Sequence, residues 1–212
     1  MTLDASPPSR DVYYFLREAS RRIRHFQEDH NIPGFVPSDY LQVYQALRFV
    51  AEAHCAPGNH LCEWGSGFGV VACLGAMTGY FACGIEIDLS LVEESRQLAG
   101  DFDLPVEFYH DSFIPHGGEN SVETFEPAGW LTTHAGTYRQ DWGLCPETFD
   151  LIFAYPWPGE EEIIEALFEE SAGMGALLLT YHGQEGLRLQ RKIRRFRQLR
   201  KRPTLPHSPQ CR

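Results

Sequence analysis

Two amphipathic helices are predicted at the start of the chain. Over residues 11–29, apolar side chains recur at spacings of three and four, which is the period of one helix face. The members of this stripe are Val12, Leu16, Ala19, Ile23 and Phe26. A second helix is expected to begin at Ser38, because serine is a favoured N-cap and Asp39 follows in the first turn. Pro57 and Gly58 then predict a turn.

Beyond residue 59 the pattern changes to short apolar runs that alternate with helical segments. Strands are predicted at residues 60–63, 81–87, 106–109, 151–154 and 176–181. Helices are predicted between them at residues 69–78, 89–98 and 160–171, and a last helix at 184–202. Strands that alternate with helices indicate a parallel sheet with helices on both faces.

Composition narrows the class of protein. Of the 212 residues, 43% are hydrophobic and 22% are charged, which is typical of a globular domain. The first residues contain no apolar stretch of the kind found in secretory signals, and no run approaches the roughly 20 apolar residues of a membrane span. The 6 cysteines include no CxxC pair, so a disulfide framework is not expected. We therefore expect a cytoplasmic protein without membrane contact.

Charge is distributed unevenly along the chain. Residues 1–185 carry 8 basic and 29 acidic side chains, whereas residues 186–212 carry 10 basic and no acidic ones. An acidic body repels nucleic-acid phosphates and a basic segment attracts them, so nucleic-acid contact is expected only through the predicted helix at 186–202. We favour a second interpretation over nucleic-acid contact, in which the basic helix lies against the acidic body and neutralises its charge.

The most specific motif follows the first predicted strand. That strand ends at Glu63, glycines occupy positions 65, 67 and 69, and a helix follows. Glycine suits such a turn because it adopts positive φ and lets a ligand approach the backbone closely. Glu86 ends the next strand, 21 residues after Gly65, where a carboxylate can accept hydrogen bonds from both ribose hydroxyls. The motif therefore predicts a nucleoside site.

The spacing of these glycines distinguishes two kinds of nucleoside site. Dinucleotide folds favour G-x-G-x-x-G and a second catalytic domain, for which 212 residues leave little room. The pattern here is E-x-G-x-G-x-G, which resembles motif I of the class I S-adenosylmethionine-dependent methyltransferases. The resemblance covers about residues 38–181.

This resemblance implies a fold, a cofactor and an activity. The fold would be an α/β, Rossmann-like three-layer sandwich with about five parallel strands in the order 3-2-1-4-5. The cofactor would be S-adenosylmethionine, bound without a metal, and the methyl acceptor is unidentified. Gly65, Gly67 and Gly69 would line its methionine part, with Glu63 organising the loop. Glu86 would take the ribose diol, and Asp111 with Ser112 would meet the adenine.

The segment after the fourth strand departs from the family pattern. Families that methylate planar amines carry Asn or Asp, two prolines and an aromatic residue there, whereas this chain has Tyr155-Pro156-Trp157-Pro158. Tyr155 is the candidate to orient or deprotonate a nucleophile, and Trp157 the candidate to stack on a flat substrate. The alternative, held equally, is that both aromatics only cap the sheet and cover the adenosine.

Three further groups carry weaker signals. His182 is more readily an incidental loop histidine than a base. Tyr40 and Tyr44 fit a helix over the cofactor and ordinary core packing equally well. The acidic run that begins at Glu160 is expected to complement a helix N-terminus on a solvated face.

The expected organisation has three parts. These are a helical cap at 1–37, the cofactor-binding domain at 38–183, and a basic helix and tail at 184–212. The resembled fold normally adds an antiparallel pair after strand five, but residues 203–212 are too short and proline-rich to supply it. We therefore expect the sheet to lack that pair, and the fifth-strand edge to be covered by the basic helix or by another subunit.

Three alternatives to a methyltransferase remain open on the sequence alone. The chain is compatible with a non-catalytic S-adenosylmethionine-binding protein, because its sheet is short and its fourth-strand motif is altered. It is also compatible with a nicotinamide-dependent oxidoreductase that uses the glycine loop for a dinucleotide. The basic segment is compatible with an RNA-associated protein.

Overall fold

One six-stranded sheet organises the protein in the computed structural model, which describes residues 7–30, 35–115, 136 and 145–193. The strands are β1 His60–Trp64, β2 Phe81–Glu86, β3 Val106–His110, β4 Leu151–Ala154, β5 Leu177–Tyr181 and β6 Leu187–Arg191. Their order in the sheet is β3-β2-β1-β4-β5-β6. Strands β1 to β5 pair in parallel, which confirms the predicted order of the first five.

Helices connect the strands and cover the sheet. They are α1 Arg10–Asp29, α2 Tyr40–Glu52, α3 Val70–Met77, α4 Leu89–Asp101 and α5 Glu161–Ser171. The second helix begins later than predicted, because Asp39 and not Ser38 is its N-cap. The Asp39 carboxylate accepts a hydrogen bond from the backbone N–H of Gln42, which satisfies a donor of the first turn.

The core has two parts, one on each face of the sheet. The larger part joins apolar residues of α1 to α4 to one face, and includes Phe15, Leu47 and Leu98. The smaller part joins α5 to the other face, where Leu167 and Phe168 pack near Ile152. The molecule is therefore layered as helix, sheet and helix, as the alternation of strands and helices predicted.

The prediction that the sheet lacks an antiparallel pair is wrong. Strand β6 pairs antiparallel with β5, with Leu189 opposite Leu179, at a position where a helix over residues 184–202 was expected. The chain reverses through a turn in which His182 donates its backbone N–H to the carbonyl of Gly186, whose φ is +81°. Leu187 and Leu189 are two residues apart, which is the period of a strand. The same leucine at 189 also fits a helical stripe, and this is why the pattern was ambiguous.

Strand β6 also changes the expectations that rested on the basic segment. The edge of β5 is occupied by the chain itself, so the predicted association of subunits through that edge has no free edge to use. The described part of the 186–202 segment is a strand and not a helix, and residues 194–212 lie outside the described residues.

The predicted domain boundaries at residues 37 and 183 stay predictions. Among the helices of the described ranges, none has the length and apolarity required to cross a membrane.

Candidate functional site

A cavity of about 430 Å³ opens at the carboxyl ends of the central strands. This volume falls in the range of small-molecule sites, roughly 300–1,000 Å³. Residues that follow β1, β2 and β4 line it, and the segment between α1 and α2 contributes Phe35, Val36 and Ser38. The strand order reverses between β1 and β4, which is the switch point where α/β sheets of this kind bind ligands.

The three glycines of the loop have left-handed φ angles of 67°, 51° and 68°, but different surroundings. Among the residues that the structure describes, the nearest neighbour of a Cβ added at Gly65 is an atom of the Phe113 ring, 4.0 Å away. A Cβ at Gly67 would lie 2.8 Å from the Phe35 ring, and one at Gly69 would collide with the Phe108 ring. Gly65 and Gly67 line the cavity. Gly69 is the N-cap of α3, and the Phe108 ring leaves no room there for a side chain.

Glu63 closes the N-terminus of α3. The N-cap of that helix is Gly69, which has no side chain to accept a hydrogen bond. Instead, the Glu63 carboxylate accepts the backbone N–H of Ala72 at 2.8 Å. Glu63 is 4% exposed, and burial raises its pKa well above the ordinary value, while the Ala72 N–H counteracts that shift and Glu86 adds to it. The role predicted for Glu63, organising the loop, stays a prediction, and the contact that its carboxylate makes is with the first turn of α3.

Glu86 joins the glycine loop to the end of β2. One of its carboxylate oxygens accepts the backbone N–H of Gly67 at 2.8 Å, and the other accepts those of Ile87 and Asp88 at 2.8 and 2.9 Å. Burial raises the pKa of Glu86, and these three backbone donors oppose the shift. A carboxylate offers about four acceptor sites, so about one remains for a ligand hydroxyl without displacing a backbone donor.

Asp111 and Ser112 follow β3 but do not line the cavity. The backbone N–H of Asp111 donates to the carbonyl of Glu86 at 2.9 Å, which places the turn beside the ribose-binding candidate. The Asp111 carboxylate accepts the Ser112 N–H, and the Ser112 hydroxyl accepts the N–H of Ile114. Phe113 lines the cavity instead, with its ring stacked on Trp64 at a centroid distance of 5.4 Å.

Tyr155 and Trp157 both lie in the cavity lining, as their position after β4 predicted. The Tyr155 ring packs edge-on against Tyr181, with centroids 4.9 Å apart, and burial raises the pKa of the Tyr155 hydroxyl.

His182 does not line the cavity. Its Nε2 lies 2.7 Å from the Thr180 hydroxyl, and burial lowers its pKa.

Sequence reasoning placed Glu160 wrongly. It was expected on a solvated face, but it is 4% exposed and lines the cavity beside the residues that follow β4. One of its carboxylate oxygens accepts the backbone N–H of Trp157 at 3.3 Å. The signal that would have located Glu160 is its distance of only six residues from the end of β4.

Tyr40 and Tyr44, which the sequence did not separate, have different positions. Tyr44 is buried in the core, whereas Tyr40 lines the cavity. Burial raises the pKa of Tyr40, and the nearby carboxyl of Glu63 raises it further. Tyr40 is therefore a cavity residue and Tyr44 a packing residue.

The indole N–H of one residue and the hydroxyl of another are buried in the cavity lining and have no hydrogen-bond partner among the described residues. They are the indole N–H of Trp64 and the hydroxyl of Ser66, whose residues are 2% and 4% exposed. Buried polar groups are nearly always paired, so unpaired ones that line a cavity mark places where a ligand or water can bind.

The electrostatic character of the cavity is acidic. Its titratable lining, as far as the chain is described, consists of the carboxyls Glu63, Glu86, Asp88 and Glu160 and the phenols Tyr40 and Tyr155. Within the same described residues, no lysine, arginine or histidine lines it. Groups of three or more side chains suited to a metal ion are also absent from the described ranges. Such a cavity favours a cationic ligand over an anionic one.

Comparison with known proteins gives matches only at the level of solved structures. No protein-family model and no curated protein matches the chain. An RNA methyltransferase from Salinibacter ruber, solved with S-adenosyl-L-homocysteine, is 20% identical, with a TM-score of 0.48 over 68% of this chain and 76% of that one. An O-methyltransferase from Bacillus cereus, solved with the same compound, is 13% identical, with a TM-score of 0.49 over 84% of this chain and 68% of that one.

A third similar structure is an O-methyltransferase from Streptomyces achromogenes involved in tomaymycin synthesis, solved with S-adenosylmethionine. It is 15% identical, with a TM-score of 0.48 over 84% of this chain and 67% of that one. At these identities and scores the likeness does not decide the function.

Proposed function

We propose that the protein binds S-adenosylmethionine in this cavity and transfers its methyl group to an acceptor. The observation that carries the proposal is the pair of buried carboxyls, Glu63 and Glu86, which take up backbone N–H groups of α3 and the glycine loop. S-adenosylmethionine is a sulfonium that also carries an ammonium group. An acidic cavity at the switch point of the sheet suits those two positive charges.

The same two hydrogen bonds argue against a dinucleotide. In dinucleotide-binding folds the pyrophosphate binds N–H groups at the helix N-terminus and the glycine loop. Here the N–H of Ala72 donates to Glu63 and the N–H of Gly67 donates to Glu86, each at 2.8 Å. A pyrophosphate would have to displace two carboxyls and would lie beside them, so this arrangement disfavours the oxidoreductase alternative.

Each cofactor-binding residue has a proposed role. Glu86 accepts a ribose hydroxyl through its remaining acceptor site. Gly65 allows the methionine part to approach the backbone, since among the described residues only Phe113 lies within 4 Å of an added Cβ. Glu63 holds the loop and α3 in place. Asp111 and Ser112 position the turn at the adenine side, where Phe113 supplies a ring for stacking.

The acceptor side of the cavity is formed after β4. When bound, the cofactor supplies an activated methyl on sulfur, and the protein has to align a nucleophile behind that methyl and exclude water. We assign the alignment to the Tyr155 hydroxyl and the stacking contact to Trp157, both of which line the cavity.

We also propose a cytoplasmic location, since the five cysteines of the described residues are free thiols.

Transfer of a labelled methyl group tests the activity. The protein is incubated with methyl-tritiated S-adenosylmethionine and a small-molecule extract, and the label that leaves the cofactor is counted. We expect transfer by the natural chain, and at least a tenfold loss in Tyr155→Phe, a variant that keeps the ring contact with Tyr181. Cofactor binding without any transfer would support the non-catalytic alternative.

A further inference from the structure

We propose that the outward face of α1 binds single-stranded nucleic acid. This surface lies outside the cavity, so binding there goes beyond the proposed function and does not depend on it. The ligand it fits offers phosphates and flat bases on one strand. RNA and DNA share that chemistry, and the experiment below separates them.

Arginines are concentrated on the outward face of α1. Five of the 8 basic side chains in residues 1–185 belong to this helix. Four of them are exposed and follow one another at spacings of seven, four and three, which places them on one face of a helix. We call them the arginine ridge: Arg10, Arg17, Arg21 and Arg24. The ridge is about 21 Å long, since each helical residue rises about 1.5 Å.

The carboxylates of α1 leave most of this ridge positively charged. The helix carries four carboxylates beside its five arginines, so the sequence shows no basic segment here. Glu18 accepts a hydrogen bond from the Arg21 guanidinium at 2.7 Å and compensates that charge. The three other arginines of the ridge form no ion pair with the described residues. The folded helix therefore separates charges that the sequence mixes.

Two exposed tyrosines stand beside the ridge. Tyr13 and Tyr14 are 58% and 56% exposed. The Arg17 guanidinium lies over the Tyr14 ring, 5.4 Å from its centroid, whereas Tyr13 has no ring or cation contact with the described residues. Proteins bind single strands with this combination, in which arginines contact the phosphates and aromatic rings stack on the bases.

The rest of the surface directs a polyanion to α1. Outside this helix, residues 1–185 carry 25 acidic and 3 basic side chains. Such a surface repels phosphates, whereas the arginine ridge attracts them. Charge complementarity therefore favours one place of contact on this part of the chain.

Two other classes of partner fit this face less well. The apolar stripe of α1, which includes Phe15 and Ile23, is buried in the core, so the helix has no apolar face to insert into a lipid surface. An acidic polypeptide would pair with the arginines but would offer few flat groups to Tyr13. A single strand uses both features, and its bases are more accessible to a ring than those of a duplex.

The direction of α1 relates the ridge to the cavity. Near its start, the ring of Phe15 contacts Phe102 at the end of α4, with centroids 5.0 Å apart. Near its end, the ring of Phe26 contacts Phe68 of the glycine loop, with centroids 5.3 Å apart. A strand bound along the ridge therefore extends toward the cavity.

Fluorescence anisotropy with two labelled oligonucleotides of one mixed sequence, one RNA and one DNA, tests the inference. The full chain is used without S-adenosylmethionine. We expect binding that weakens about 20-fold between about 50 and about 200 mM salt, the change for about three phosphate contacts in a single strand. Tighter binding of one oligonucleotide identifies the sugar that the surface prefers, and equal affinities identify a surface for both.

Two charge-matched variants locate the contact. The ridge variant combines Arg10→Gln, Arg17→Gln and Arg24→Gln. The tail variant combines Arg194→Gln, Arg195→Gln and Arg197→Gln, which removes the same charge from the basic C-terminal segment. We expect the ridge variant to bind at least about tenfold more weakly than the natural chain, and the tail variant to lose less than the ridge variant.

A second pair of variants tests stacking. Tyr13→Ala removes an exposed ring from α1, and we expect it to weaken binding at least about fivefold. Phe81→Ala removes an exposed ring from the start of β2 and should leave binding unchanged.

Three results would overturn the inference. The first is no binding at about 50 mM salt up to about 100 µM protein. The second is an equal or larger loss in the tail variant than in the ridge variant. The third is displacement of the oligonucleotides by polyglutamate as readily as by unlabelled RNA at equal charge, which would assign the face to acidic polypeptides. The salt series and the competition use the natural chain alone, so they decide the question even if the ridge variant does not fold.

Discussion

The backbone N–H of Gly67 donates to the carboxylate of Glu86 at 2.8 Å and so ties the glycine loop after β1 to the end of β2. The other oxygen of Glu86 accepts the N–H groups of Ile87 and Asp88. One side chain therefore fixes both segments that would contact the ribose and the methionine part. A ligand that hydrogen-bonds to Glu86 therefore contacts the same side chain that holds the glycine loop in its conformation.

This relationship predicts the effect of Glu86→Gln. The amide would bring an NH₂ group against one or more of three backbone donors, so we expect the free energy of unfolding to fall by about 1–3 kcal/mol. The affinity for S-adenosylmethionine should fall at least about tenfold, or about 1.4 kcal/mol. Urea unfolding and calorimetric titration measure the two quantities. Glu93→Gln, on an exposed position of α4, is the control, and equal affinities in both variants would contradict the assignment.

Gly69→Ala should destabilise the protein through packing. Its added Cβ would collide with the Phe108 ring and lie 2.8 Å from Cβ of Ser95, at a φ of +68°. Gly79 also has a positive φ, +95°, but no atom of the described residues lies within 4 Å of an added Cβ there. Gly79→Ala therefore reports the backbone strain alone, roughly 1–2 kcal/mol. We expect Gly69→Ala to lose about 1–3 kcal/mol more than this control in urea unfolding.

Equal losses in the two glycine variants would show that Phe108 moves aside without cost. That result would remove the packing explanation for Gly69 and would make its conformation the whole reason for glycine.

The raised pKa of Glu63 predicts how stability depends on pH. Because the folded-state pKa lies above the ordinary value of 4.5, the protonated carboxyl favours the folded state. This contribution is fully present below the ordinary pKa and is lost as pH rises through the folded-state pKa. In Glu63→Gln the amide oxygen can still accept the Ala72 N–H, and the side chain at position 63 no longer titrates. Urea unfolding from pH 4.5 upward should therefore show a smaller fall of stability in Glu63→Gln than in the natural chain.

The same titration has a second consequence for binding. A cationic ligand favours the ionised carboxyl, so affinity for S-adenosylmethionine should rise with pH over the interval in which Glu63 loses its proton. If stability and affinity change with pH in the same way in the natural chain and in Glu63→Gln, burial does not raise the pKa of Glu63 in the folded protein.

Strand β6 predicts the effect of two truncations. A chain that ends at residue 193 keeps the pairing of β6 with β5 and serves as the reference for the shorter chain. A chain that ends at residue 186 loses that pairing and leaves the edge of β5 open, which favours association between copies. We expect the shorter chain to have a lower urea midpoint and to elute earlier in gel filtration than the chain that ends at residue 193. Identical behaviour of the two truncations would mean that β6 contributes nothing to stability or to covering the edge.

The features that sequence predicted well are those that depend on local pattern. The parallel pairing of the first five strands follows from their alternation with helices, their order is the one that the resemblance implied, and the position of Glu86 follows from the spacing after Gly65. Glycine at position 65 and glycine at position 69 look alike in sequence. One faces the cavity and the other faces Phe108, a residue 39 positions away that only the folded chain brings near.

The features that sequence missed depend on tertiary position. Leu189 fits both a strand with Leu187 and a helical stripe with Ile193, and the open edge of β5 decides in favour of the strand. Glu160 begins a helix, where acidic residues are usually solvated, but the turn from β4 brings it into the cavity. For both residues the spacing of nearby residues allows more than one position, and the folded chain selects one of them.

Calorimetric titration of the full chain with S-adenosylmethionine, and in parallel with NAD⁺, tests the central claim most directly. The acidic cavity and the occupied N–H groups of the glycine loop and α3 predict binding of S-adenosylmethionine with a Kd below about 100 µM and no heat from NAD⁺ at the same concentrations. Binding of NAD⁺ together with no detectable binding of S-adenosylmethionine would contradict the claim.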